Sequence, residues 1–370
     1  MQKKILEKPL KCMRTVGENN VKMLEHNLEV PLERQLNNCT FVKFILMILV
    51  VVYHCALFWT GDWFTGNPIY SSTSLEWFSM WLNSFHIYGF TLVSGYLFYY
   101  IKYEKLGYES FQKFVIIKVK RLIIPYVFVA TVWVVPIQFH FFRYDILTIV
   151  NNYILAKSPN QLWFLLMLFI VFVLYYPLSK WMKNNYYGII IILLMYKLGL
   201  YADETIGNLL MLNRALKYIL LFWIGFKIRE GKMDFIWKIP SWIYIVIDIL
   251  LFVFSTKYLP GSIYYLKDID MLCDALLHCL GAVMSFVVLQ RIASDISWNK
   301  SKILAKLTKY SMPIYLFHQQ IIYFSIHWFN GKIVPWLHFV LNMVVTLIVV
   351  LIISKILMSF KVTRYLIGEK

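Results

Sequence analysis

Charge is scarce in this 370-residue chain. Only 15% of residues are Asp, Glu, Lys or Arg, against 60% hydrophobic. Soluble globular domains carry roughly 25% charged and 45–50% apolar residues, so the deficit excludes a soluble enzyme and a disordered chain. Acidic residues are the scarcer sign, 20 against 37 Lys plus Arg. Cysteine is sparse as well. The five (Cys12, Cys39, Cys55, Cys273, Cys279) show no metal-ligand or redox spacing, which argues against a disulfide framework. The sequence has no P-loop, no G-x-G-x-x-G and no internal repeat. It also has no loop long enough for an attached soluble catalytic domain. The longest outer link, 60–77, is short and contains no Lys or Arg. No cleavable signal peptide is expected, because the first 40 residues are polar and the first apolar run is long enough to span.

Long apolar runs are abundant instead. A membrane-crossing helix needs about 20 apolar residues, and ten such stretches can be read: 41–59, 78–100, 122–142, 162–178, 186–201, 209–226, 239–258, 271–290, 310–329 and 333–358. Lys197, Arg214 and Lys217 interrupt the fifth and sixth. With the amino terminus inside, the inner segments hold 29 Lys plus Arg and the outer segments 5. That asymmetry is a positive-inside signal. It predicts an all-α, polytopic membrane helix bundle of about ten transmembrane helices with both termini cytoplasmic. The expected organisation is a polar cytoplasmic segment 1–40, a transmembrane domain 41–360 and a cytoplasmic tail 361–370. The net charge of +17 then needs no nucleic-acid partner; the basic loops face anionic lipid or an anionic cytosolic ligand. Aromatics at 18% fit Trp and Tyr at the membrane interfaces.

Ionisable side chains inside spans are costly and are candidates for function. His54 lies about 16 Å along its helix from Lys43, and about 20 Å from the inner end at Phe41, at 1.5 Å per residue. His86, counted from the inner end of the second span, lies at about 21 Å, which predicts that the two imidazoles share a depth. His278 and His318 come out at about 18 and 12 Å. Asp248 and Asp274 fall within or near the outer part of their spans. One reading is a structural polar network between helices. The others are a proton relay, a substrate path, or a general base in a wet cavity. Ser94-Gly95 suits close helix packing. Lys118 and Arg121, three apart, share a helix face with Lys120 between them. This group reads either as a positive-inside anchor or as a clamp for a cytosolic phosphate.

Five segments in order resemble the acyltransferase family 3 membrane proteins. These are Lys43 with His54 eleven positions later; Ser84-Phe85-His86 running to Ser94-Gly95-Tyr96-Leu97; Lys118-Val-Lys-Arg121 followed by Pro125-Tyr126; Leu162-Trp163-Phe164-Leu165; and Ile314-Tyr315-Leu316-Phe317-His318. The resemblance spans about 39–359. Thr40 stands where the family commonly has Asp, Lys43 where Arg is common, and Ile-Tyr-Gly follows His86 in place of Met-Pro-Leu.

Members are bacterial enzymes that O-acylate surface sugars, with fucose O-acetylase-like relatives. The resemblance implies an O-acyltransferase of the bacterial cytoplasmic membrane. It would take an acyl group, usually acetyl, from cytosolic acetyl-CoA to a hydroxyl of a cell-surface or lipid-linked sugar. Acetyl-CoA is a co-substrate, with no tightly bound cofactor and no metal expected. Lys43, Lys118, Lys120, Arg121 and Ser94 are the candidate donor-site residues. His54 is the candidate base with His86 as its partner, because imidazole titrates near the working pH. Trp163, Tyr315 and His318 are further candidates. The competing class is a transporter or flippase for a polysaccharide or lipid-linked sugar, using midplane His and Asp. Against it stands the lack of an inverted repeat.

Overall fold

The computed structural model describes residues 31–61, 63–258 and 267–369. Cys12 and most of the expected polar segment 1–40 lie outside them. No strand occurs among the described residues. The helices that build the architecture are α1 (Leu32–Leu57), α2 (Thr73–Asn83), α3 (His86–Tyr99), α4 (Phe111–Phe142), α5 (Trp163–Met182), α6 (Asn185–Thr205), α7 (Leu212–Arg229), α8 (Ser241–Tyr258), α9 (Lys267–Asp295), α10 (Ser311–Phe329), α11 (Pro335–Ser359) and the short α12 (Lys361–Leu366).

The molecule is a membrane helix bundle. Among the described residues, seven helices are long and apolar enough to cross a bilayer: α1, α4, α5, α6, α7, α9 and α11, some with a flanking turn. The other three expected spans are helical but differ from the expectation. The 78–100 segment is not one helix: it breaks at Ser84-Phe85 into α2 and α3. The 310–329 segment forms α10, whose His318, Gln319, Gln320 and His327 lower its hydropathy. The 239–258 segment forms α8, which ends where the described residues end.

On α11 burial is inverted relative to a helix of a protein in water. Along α11, His338, Asn342, Thr346 and Ser354 face inward at four-residue multiples, while Ile348, Ile352 and Ile356 face outward. Lipid tails are as apolar as these isoleucines, so outward exposure costs nothing and inward polar groups hold helices together. At the centre, α3 packs against α7, α9 and α1, and α10 packs against α1 and α11. The α3–α7 crossing is set by glycine. A Cβ on Gly95 would fall on the Phe222 carbonyl, and one on Gly225 on the Leu92 carbonyl. The two backbones therefore touch, and Ser94-Gly95 serves the packing reading. The Ser94 hydroxyl donates to the Phe90 carbonyl within its own helix, 2.8 Å away.

α4 is not a uniform helix. Wide π-type turns at Val119–Ile123 and Ala130–Val134 each precede a proline, Pro125 and Pro136. Proline lacks the N–H and crowds the carbonyl four residues back, and a widened turn accommodates both. For Pro125 that carbonyl belongs to Arg121. Gly368, with φ +77°, packs directly on it, so the chain end after α12 covers this part of α4.

Candidate active site

The break between α2 and α3 fixes the orientation of His86. A helix end leaves carbonyls without partners. The Ser84 hydroxyl donates to the Trp81 carbonyl at 2.7 Å, and His86 Nδ1 donates to the Leu82 carbonyl at 2.5 Å. A carbonyl only accepts, so Nδ1 carries the hydrogen of the neutral ring. His86 Nε2 is then a lone pair.

His54, near the end of α1, follows the same logic with one more partner. Its Nδ1 lies 2.8 Å from the Val50 carbonyl and 3.2 Å from Nε2 of His318. His318 is fully buried, and its own Nδ1 donates to the Tyr315 and Ile314 carbonyls at 2.8 and 3.1 Å. Its Nε2 must therefore accept, and the proton it accepts is on His54 Nδ1. His54 is held as the Nδ1–H tautomer with Nε2 free. Neither His54 nor His86 has a hydrogen bond to Nε2 among the described residues. The Tyr53 ring sits 4.8 Å from both imidazoles.

Both histidines line a cavity of about 530 Å³. Trp163, Tyr315, Asn83, Asn160, Gln161, Gln319, Trp63 and Arg214 also line it. The wall at the start of α5 is stitched to α10. Gln161 and Gln320 exchange side-chain amide bonds at 2.6 and 3.1 Å, Gln319 Oε1 accepts from the Gln161 N–H at 3.0 Å, and Tyr315 donates to the Gln161 carbonyl. Tyr315 has thus committed its hydroxyl proton to the backbone. The counted depth of about 12 Å for His318 placed it well below His54, whereas the two rings touch, with centroids 4.8 Å apart. The count took Tyr310 as a membrane boundary. A helix over Lys302–Leu307 and a tight turn over Thr308–Tyr310 lead into α10 instead, so the helix ends are not level.

The basic cluster assembles at the other end of α1. Lys118 is buried and sits 3.5 Å above the centre of the Phe172 ring, with Phe114 and Tyr108 at 5.3 and 5.5 Å. Its ammonium feels the like charges of Arg121 and Lys43 and pairs with no carboxylate among the described residues. Among the described residues, Glu369 is the acid facing Lys43 and Arg121. Burial pushes its carboxyl above the usual range, while Arg121 and Lys43 pull it back. Lys120 is exposed and makes no ion pair or hydrogen bond among the described residues.

His278, counted to a similar depth, lies apart from the cavity. Its Nδ1 bonds the Ser84 carbonyl at 3.0 Å, and its Nε2 meets the Tyr88 hydroxyl at 2.9 Å and Asp274 at 3.2 Å. The cavity residues not singled out from sequence include the amides Asn83, Asn160, Gln161 and Gln319, and Arg214, beside aromatic and aliphatic side chains. Gln319-Gln320 beside His318 in an apolar run was their available signal; Arg214 was visible only as an interruption of a span.

A family model for the acyltransferase domain of the acyltransferase 3 type matches residues 37–355. The chain belongs to this acyltransferase family. No curated protein and no solved structure matches it. Family and architecture together make this protein a membrane acyltransferase, and all five resembling segments fall within the matched residues.

Proposed function

We propose that the protein moves an acetyl group from acetyl-CoA to a sugar hydroxyl, with His54 as general base. The observation that supports this most directly is the unpartnered Nε2 of His54 in a cavity of ligand size, its tautomer fixed by His318. A base must present a lone pair to the hydroxyl it deprotonates. Pairing Nδ1–H with His318 reproduces the orienting role of the third member of a catalytic triad, with a neutral ring in place of a carboxylate.

The donor is read from the opposite end of α1. A buried ammonium with only aromatic faces and like charges around it favours an anion. Lys118, Lys43 and Arg121 suit the phosphates of CoA. The pantetheine arm would run along α1, on which Lys43 and His54 are about 16 Å apart, and bring the thioester to the cavity. In the transfer step, the acceptor O–H gives its proton to His54 Nε2 and the oxygen bonds to the thioester carbonyl carbon. The C–S bond breaks, and the departing thiolate takes the proton from Nε2, leaving the ester and CoA thiol. His86 Nε2 shares or orients the acceptor proton. On this reading the basic end is cytoplasmic, the cavity opens toward the outer face of the bacterial cytoplasmic membrane, and the acceptor is a cell-surface or lipid-linked sugar.

The test is CoA release from labelled acetyl-CoA by detergent-purified protein, with and without a crude surface-glycan fraction. Glycan-stimulated release by the wild type that His54→Ala loses, in protein of unchanged elution and melting, is the expected result. Near wild-type transfer by His54→Ala overturns the base assignment. No turnover by folded wild type overturns the donor.

A further inference from the structure

Among the described residues, Arg214 is the only full charge on the cavity wall, and no Asp or Glu lines it. Its guanidinium carbon lies 4.6 Å from the centre of the Trp163 ring. A guanidinium held over a ring keeps its N–H donors at its edge. None of those of Arg214 bonds to a described residue, and Arg214 lines the cavity. The nearby acids are engaged elsewhere. Asp203 gives one oxygen to Lys217 and the other to Asn213, and Asp274 meets His278. No carboxylate of the described residues lies within 4.0 Å of Arg214.

A buried arginine of the same helix shows what a structural one looks like. Arg229, at the end of α7, holds Glu104 through two bonds of 2.7 and 2.6 Å and the Tyr96 hydroxyl at 2.9 Å. Arg214 occupies the opposite end, in the first turn of α7. There the helix dipole is positive and disfavours a cation. The approach is strained as well: Leu210 and Met211 have φ of +50° and +59°, a region costly for residues other than Gly, Asn and Asp. Asn160 on the facing wall is also left-handed, at φ +49°. The fold thus places a guanidinium with no ion-pair partner among the described residues in the cavity that His54 lines, with Asn83, Asn160 and Gln319 in the same wall.

Resting on the acyltransfer reading above, we propose that the acceptor is an anionic sugar. Its carboxylate or phosphate is held by the edge of Arg214 while a hydroxyl of the same sugar meets His54. Arg214 is then the residue that sets acceptor specificity.

The experiment uses full-length protein in detergent at fixed ionic strength. Melting is followed against glucuronate, glucose 1-phosphate and glucose, with CoA release from acetyl-CoA measured in parallel for each sugar. The wild type is expected to be stabilised by glucuronate or glucose 1-phosphate and not by glucose. The anion that acts distinguishes a carboxylate from a phosphate acceptor. Arg214→Gln is expected to weaken that binding about tenfold or more, the scale of a hydrogen bond to a charged group, while its stabilisation by CoA persists. Arg214→Lys retains part of the binding and serves if the Gln variant fails to fold. Equal stabilisation by glucose overturns the proposal, as does absence of an effect of either anion on the wild type, or full anion binding by Arg214→Gln. CoA release lowered equally for charged and neutral sugars in Arg214→Gln also overturns it, making the guanidinium part of the transfer chemistry. His54→Gln should still bind the anion. Anion binding without any CoA release therefore sinks the acyltransfer reading alone, and CoA release to glucose without anion binding sinks this one alone.

Discussion

Two histidine clusters sit in the bundle, and they differ in how their ring nitrogens are used. In the first, His318 and the Val50 carbonyl fix one nitrogen of His54 and leave the other facing a cavity. In the second, both nitrogens of His278 are engaged, by Ser84, Tyr88 and Asp274, and His278 does not line that cavity. Residue type and approximate depth are shared. On the proposed mechanism, what sets the first imidazole apart is a lone pair without a partner facing space for a ligand.

The comparison can be broken most directly at the two rings. His54→Ala is expected to lower kcat by about 10² to 10⁴-fold, the range for loss of a general base, whereas His278→Ala should stay within about threefold, under 1 kcal/mol of barrier. Comparable losses in both variants, measured by CoA release, would erase the distinction. Next in size is the donor end. Lys118→Met should raise the KM for acetyl-CoA about 10- to 100-fold, as expected for a lost hydrogen bond to a charged group, with kcat little changed. A fall in kcat at constant KM would move Lys118 out of the donor site.

His318→Phe sharpens the comparison further, because it keeps an aromatic ring and removes the acceptor for His54 Nδ1–H. About a tenfold loss in kcat, roughly 1.4 kcal/mol, with KM for acetyl-CoA unchanged is expected. An unaffected kcat would show that the Val50 carbonyl alone holds the tautomer. The smallest effect belongs to the structural cluster. His278→Gln should cost about 1–2 kcal/mol of stability through the capping bond to Ser84, read as a lower melting temperature without change in turnover. A turnover loss without a melting shift would give His278 a chemical role.

Much of this was legible in the chain. Apolar runs of spanning length located most of the helices, because hydrophobic length is a local property. The Lys43–His54 spacing put a cation and an imidazole on one helix for the same reason. The helix break before His86 was not legible, since neither Gly nor Pro marks it and the carbonyls of Trp81 and Ser84 are capped by side chains, the latter by His278 of α9. The depth of His318 was missed because it depends on where α10 begins relative to α1. The packing role of Gly95 became visible only where it meets the Phe222 backbone and Gly225 meets that of Leu92.

The sequence by itself determined the solvent of this protein, its helical class and its acyltransferase family, since composition, run length and motif order are all written along the chain. Only the tertiary structure decided which imidazole keeps a free nitrogen, which lysine is buried without an acid, and that Arg214 belongs to the cavity. Each of these depends on partners more than a hundred residues away or on another helix, brought into place by helix rotation and close glycine crossings.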